Sequence, residues 1–252
     1  MEKKHILKIE NITKSFGGLK AVDSVSFNVN KRQIKALVGP NGAGKTTLFN
    51  IITRLYQPDR GSIEYDDKNL LSFMPHQLIK LGIARTFQNI QLIDALTVKE
   101  NIALGLHAKI KSNPLGVIFG LNRKEERVIF EKTERIAHFL KIESFLNKYP
   151  EQVPFGIKRL VEIGRALISQ PKLLLLDEPA AGLNENETER LLNTLFRIWE
   201  KGISILLIEH DMEFVANCSH SIVVMDSGKK IAEGLPSDVM NDYNVIKAYM
   251  GE

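Results

Sequence analysis

Apolar and polar residues alternate over much of the first thirty positions: Val25, Phe27 and Val29 share one face, with Ser24, Ser26 and Asn28 between them. That period of two predicts half-buried strands. Residues 34–38 are a short, nearly continuous apolar run, which predicts a strand covered on both faces. A glycine-rich loop follows. Leu48, Ile51, Ile52 and Leu55 then recur at helical spacing, and Gln57-Pro58-Asp59-Arg60-Gly61 is expected to end that helix in a turn.

Between about 97 and 170 the texture changes. Strand-like runs vanish, amphipathic helices dominate (124–140 most clearly), and Pro114, Pro150, Pro154 and Pro171 punctuate them. The short apolar piece 114–121 reads as a packed loop or a contact surface. At Lys172 the first texture returns. Residues 173–176 predict a buried strand, and 185–200 a helix with Leu191, Leu192, Leu195, Ile198 and Trp199 on one face. Lys201-Gly202 caps it, and 203–208 predicts a second buried strand. This order calls for a right-handed parallel crossover. Residues 222–225 and 230–232 flank Asp226-Ser227-Gly228 as a closing hairpin. The expected units are 1–96, 97–170 and 171–252, the middle one a helical subdomain inserted into an α/β core.

Composition adds limits. The 252 residues are 44% apolar and 25% charged, as in a globular protein. The net charge of +4 is small and spread along the chain, which argues against a nucleic-acid partner. The single cysteine, Cys218, excludes an internal disulfide and reads as a small packed residue in a reducing compartment. No stretch approaches the roughly 18 apolar residues that span a bilayer. The N-terminus leads into a strand pattern, not a signal sequence. Any membrane role is expected to come through a partner.

Chemistry concentrates in three places. Gly39-Pro40-Asn41-Gly42-Ala43-Gly44-Lys45-Thr46 matches the phosphate-loop pattern between a buried strand and a helix, with Thr47 continuing it. Its backbone N–H groups and the helix N-terminus suit phosphate oxygens, Lys45 the β- and γ-phosphates, and the Thr46 hydroxyl magnesium. Asp177-Glu178 ends the next predicted parallel strand at the same sheet edge. There Asp177 suits magnesium and Glu178 suits polarising an attacking water. Glu209-His210-Asp211 ends the strand after that, so His210 is expected beside Glu178, where an imidazole can orient water or bond phosphate.

Together these motifs resemble, over nearly the whole chain, the nucleotide-binding subunit of ABC transporters. The implied fold class is α/β: a P-loop NTPase core with a mixed sheet, an N-terminal antiparallel β subdomain and the inserted helical subdomain. The resemblance implies ATP and Mg2+ as cofactors. It implies that Gln88, in Arg85-Thr86-Phe87-Gln88-Asn89, senses the metal and the γ-phosphate. It also implies that Phe16 stacks on adenine, although the residues alone read Phe16 as a loop-edge core residue. Ala181-Gly182-Leu183-Asn184 resembles the segment that crosses to a partner subunit. Residues 39–50, 81–89, 177–184 and the tail 245–252 look most like branched-chain amino acid importer ATPases, with urea- and lipopolysaccharide-transport ATPases as close relatives. Implied partners are a second copy or a homologous ATPase, transmembrane permeases and, indirectly, a solute-binding protein. The implied place is the cytoplasmic face of the membrane.

The family's signature segment is the least ordinary part. Val153-Pro154-Phe155-Gly156-Ile157 stands where Leu-Ser-Gly-Gly-Gln is usual. Pro154 has neither the hydroxyl nor the N–H that would reach a partner's γ-phosphate. One such bond is worth about 1.5–3 kcal/mol, roughly ten- to a hundredfold in closure. Phe155 and the Gly156 N–H remain as the implied nucleotide contacts, Ile157 lacks the usual polar side chain, and Asn184 replaces an aspartate. The expectation is a working but weakened composite site. Two other readings stay open: a nucleotide-gated regulatory ATPase that hardly turns over, and an ABC-type ATPase acting on nucleic acid or ribosomes. The long heptad insertion or second cassette usual in the latter is absent from the sequence.

Overall fold

The computed structural model describes residues 4–109 and 123–250, so the apolar piece 114–121 lies outside the described residues. The alternating N-terminal residues pair as an antiparallel hairpin, β1 (His5–Phe16) on β2 (Leu19–Asn30). Val25, Phe27 and Val29 point into the core. β3 (Ile34–Val38) leaves for a second sheet, and β4 (Arg60–Tyr65) and β5 (Lys68–Asn69) return to the first, in the order β2-β1-β4-β5.

The second sheet is mixed. β6 (Ile83–Arg85), β7 (Leu173–Asp177), β8 (Ser204–Ile208) and β9 (Ser221–Asp226) run parallel with β3, and β10 (Lys229–Gly234) closes one edge antiparallel to β9. The order is β10-β9-β3-β8-β7-β6. β3, β7 and β8 are buried at every position. Alternate residues serve opposite faces, which explains their unbroken apolar runs. Leu173 and Leu175 pack with Leu48, Ile52 and the first sheet, whereas Leu174 and Leu176 pack with Leu191, Leu195 and Ile198 of the Glu185–Glu200 helix. The central sheet is thus the middle layer of a three-layer core.

Most predicted elements appear with small shifts. The amphipathic helix starts at Arg123 and ends at Leu140. The helix after the phosphate loop is shorter than its apolar spacing predicts. It spans Lys45–Ile52, the Thr53 hydroxyl donates back to the Phe49 carbonyl, and Arg54 takes a left-handed φ of 64°. Those two residues end the helix ahead of the Pro58-containing turn, and Leu55 is turned outward at 52% exposure.

After β6 the chain leaves the sheet, and its backbone groups need other partners. Side chains of the Phe155–Leu167 helix supply them. Arg159 donates through Nη1 to the Phe87 carbonyl at 3.1 Å and through Nη2 to the Gln88 carbonyl at 3.0 Å. The Phe87 N–H donates to Glu162 Oε1 at 3.2 Å, and Arg159 Nη1 also meets Glu162 Oε2 at 3.0 Å. Arg165 reaches the Gln91 carbonyl at 2.6 Å. Arg159 and Glu162 are each only 1% exposed. Burial pushes the Glu162 carboxyl up, against the downward pull of the Phe87 amide and the two guanidiniums. Such a pair adds little net stability but is costly to break singly. Glu162→Ala is therefore expected to lose about 3–5 kcal/mol in urea denaturation. The double change Arg159→Met with Glu162→Leu is expected to recover most of that loss.

Candidate functional site

The phosphate loop lies between β3 and the Lys45–Ile52 helix, and its glycines have steric causes. Gly39 (φ 150°) and Gly44 (φ 96°) take backbone angles that disfavour side chains. A Cβ on Gly39 would overlap the Met225 carbonyl, and one on Gly44 the Ala21 carbonyl of β2. Pro40, Asn41 and Gly42 form the turn between them, and Ala43 is buried. Lys45 is 6% exposed, and its ammonium donates to the carbonyls of Gly39 (2.6 Å) and Pro40 (2.9 Å). Burial pushes its pKa down, opposed by the charges of Glu178, Asp177 and Glu209. Thr46 is exposed and Thr47 half-buried. At the far end of the chain, burial lifts the Tyr249 phenol to about 12, opposed by a hydrogen bond with the Gly39 backbone.

Parallel registry aligns the remaining groups. Asp177 stands level with Ile208 of β8, which pairs with Leu37 of β3. Asp177, Glu178 and His210 therefore emerge at the same edge as the phosphate loop, the edge where parallel sheets collect ligands. Gln88 Nε2 donates to Glu178 Oε2 at 2.9 Å, and His210 Nδ1 lies 3.8 Å from that same oxygen. Glu178 has a left-handed φ of 45°, a strained value for a residue with a side chain. Glu209 is buried beneath His210 and accepts from the N–H groups of Ala180 (2.8 Å) and His210 (3.2 Å), and burial pushes its carboxyl up. Asp211 caps the Met212–Cys218 helix by accepting from the Phe214 N–H.

Sequence patterns missed Arg85. Its Nη2 donates to Asp177 Oδ2 at 2.7 Å, joining the metal-side carboxylate to the end of β6. Arg85 was visible only as an unassigned residue ahead of Gln88. The described residues include no cluster of three or more His, Cys, Asp or Glu side chains suited to a metal. Thr46, Gln88 and Asp177 instead offer oxygen donors. Such a set fits Mg2+, which uses one or two carboxylates together with phosphate and water oxygens rather than a protein cage.

Phe16 ends β1 at 45% exposure, with its ring 5.4 Å from that of Tyr56 in an edge-on arrangement. That corrects the core reading: glycines follow it, and the ring faces outward. Phe155 is also 45% exposed, and its ring covers Gly182. Phe155, Gly182 and Gln88 border one concavity of about 540 Å³. The Gly156 N–H donates to Glu187 Oε1 at 3.1 Å, while Glu187 Oε2 accepts from the Asn184 N–H at 3.1 Å. Asn184 in turn caps the Glu185–Glu200 helix, work an asparagine does as well as an aspartate. Ile157 is 5% exposed and packs in the core, so an apolar side chain suits it. Cys218 is packed as expected, its thiol pushed up to about 12 by burial.

Known proteins resemble the chain along nearly its whole length. The ABC transporter family model matches residues 22–181. BraF of Pseudomonas aeruginosa, a high-affinity branched-chain amino acid transport ATP-binding protein, is 39% identical over 98% of both chains. A probable branched-chain amino acid transport ATP-binding protein LivG of Methanocaldococcus jannaschii is 38% identical over 98% of both. The crystal structure of MJ1267, an ATP-binding cassette of an ABC transporter in its ADP conformation, superposes with a TM-score of 0.88 at 37% identity, covering 99% of this chain and 100% of that one. A dimeric post-hydrolysis cassette with ADP and Pi gives 0.77 at 26% identity, covering 91% and 98%. The family match covers most of the chain and the likeness to these relatives runs along nearly its whole length, and the chain belongs to the ABC transporter family as one of its ATP-binding, ATP-hydrolysing cassettes.

Proposed function

We propose that this cassette powers a membrane importer of branched-chain amino acids. The observation that carries the hydrolytic part is Gln88 and His210 gathered on one oxygen of Glu178, beside the phosphate loop. In this reading Lys45 turns from its loop carbonyls to the β- and γ-phosphates, and the loop N–H groups hold the remaining oxygens. Thr46, Gln88 and Asp177 hold Mg2+, which when bound neutralises phosphate charge. Glu178 takes the proton of the attacking water, with Gln88 and His210 orienting both. Phe16 stacks on adenine.

The other half of each site comes from a partner cassette, a second copy or a homologue, through Phe155, Gly156 and the segment 181–184. Pro154 offers that partner no hydrogen bond. The Gly156 N–H already has an acceptor in Glu187, so phosphate and carboxylate compete for one donor. These two features support a second reading, slow nucleotide-gated turnover.

No helix among the described residues is long and apolar enough to cross a membrane, and in this reading separate permease subunits carry the solute. A concavity of about 270 Å³ lined by Leu55, Leu78, Ile79, Arg85 and Phe87 supports docking beside the Gln88 segment. Leu55, Phe87 and Met74 are exposed there or next to it. The working place is then the inner face of the cell membrane, with a solute-binding protein acting through the permease.

Reconstituted with its permease, Glu178→Gln is expected to bind ATP normally and release phosphate at least about a hundredfold more slowly. Equal release by both forms would sink the enzymatic reading. Glu187→Gln keeps the helix cap but removes the competing charge. It is expected to tighten ATP-dependent cassette association in sedimentation by roughly two- to tenfold, the worth of about 0.5–1.5 kcal/mol. Cells carrying Lys45→Ala should lose leucine, isoleucine and valine uptake. Intact uptake of all three, with loss of another solute, would redirect the assignment.

A further inference from the structure

Arg85 has surroundings that phosphate binding alone does not require. It ends β6, level with Leu175 of β7, and its side chain is 10% exposed, that of Asp177 5%. The guanidinium is engaged on two sides. Nη2 donates to Asp177 Oδ2 at 2.7 Å, and Nη1 donates to Asn50 Oδ1 and Thr53 Oγ1, both at 2.8 Å. Its carbon lies 5.0 Å from the Phe87 ring centroid and 5.5 Å from that of Phe49. Asn50 follows Thr46 by one helical turn on the same face of the Lys45–Ile52 helix. One planar cation therefore ties the helix that carries Thr46 to the strand end that carries Asp177.

We infer that Arg85 is a positioning residue for the nucleotide-bound metal, fixing the separation of Thr46 and Asp177 and the oxygen that Asp177 turns to the ion. The inference rests on the reading of Asp177 and Thr46 as magnesium-side groups. A carboxylate rotates about its Cβ–Cγ bond unless one oxygen is held, and Arg85 holds Oδ2, leaving Oδ1 for the metal or its water. Partners of this kind typically govern metal affinity by ten- to a hundredfold without touching the ion. The role needs a fork. A lysine ammonium is a point donor and does not reach Asp177 and the Asn50–Thr53 pair together in one plane. Charge alone is therefore insufficient, and Arg85→Lys is a severe change.

The test is the factor by which Mg2+ tightens ATP. Fluorescent ATP would be titrated into the full chain in EDTA and in saturating Mg2+, using the Glu178→Gln background to keep the nucleotide intact. Arg85→Lys is expected to leave affinity in EDTA unchanged and to cut the Mg2+-dependent tightening by about tenfold. Asn50→Ala and Thr53→Val, which remove the guanidinium's anchors and keep its charge, are expected to cut it less, in the same direction. They decide the matter if Arg85→Lys does not fold by circular dichroism. Unchanged tightening in the folded variants overturns the role of Arg85, as does an equal loss of affinity with and without metal. Asp177→Asn separates the premises. If it too leaves the tightening intact, the reading of Asp177 fails; if it abolishes the tightening while the Arg85, Asn50 and Thr53 variants do not, only the inference about Arg85 fails.

Discussion

The buried pair Arg159–Glu162 is the constraint on which the geometry of the site depends. The segment after β6 carries Gln88 out of the sheet, where no neighbouring strand can satisfy its backbone. Arg159 takes the carbonyls of Phe87 and Gln88, and Glu162 takes the Phe87 N–H. These bonds fasten the stem of Gln88 to the helix that begins at Phe155. At the other end of Gln88, its amide sits on Glu178. One path of direct contacts thus runs from Glu178 through Gln88 to the helix whose first turn holds Phe155 and Gly156. A buried ion pair is a poor source of net stability, and its use here is to fix a geometry.

The same economy appears around Arg85 and Glu187. Each charged side chain joins two elements that would otherwise be independent: Arg85 the Lys45–Ile52 helix and β7, Glu187 the starts of the Phe155–Leu167 and Glu185–Glu200 helices. The functional side chains are thus aligned by charged side chains that bridge elements, Arg85 in a buried ion pair and Glu187 through two backbone N–H groups, as well as by the sheet. If the partner's phosphate displaces Glu187 from the Gly156 N–H, the α-helical and strand-end halves are re-linked by nucleotide.

Much of this was legible in the sequence, and the limits have physical causes. The runs at 34–38, 173–176 and 203–208 announced buried parallel strands because both faces of that sheet are covered. The apolar face of Leu191, Leu195 and Ile198 placed the Glu185–Glu200 helix. Local spacing put Lys45, Glu178 and His210 on one edge because parallel registry is set by strands, which sequence reveals well. What it hid were contacts between distant segments. Arg85 reaches Asp177 across 92 positions, and Arg159 reaches Phe87 across 72. No periodicity encodes such pairings. Leu55 misled because helical spacing continues past the point where Thr53 and Arg54 stop the helix. At Phe16 only the core reading failed, because an aromatic at a strand end reads as core until its neighbours are known.

The central claim is that the Gln88 segment and the Phe155–Leu167 helix behave as one unit. Native-state hydrogen exchange at the Phe87 amide tests it most directly. The account predicts that this amide exchanges as slowly as amides in the middle of the helix, such as that of Val161. It also predicts that protection is lost in the folded Arg159→Met, Glu162→Leu variant. Exchange at the rate of an exposed loop amide in the unaltered chain, or protection unchanged in that variant, would contradict it.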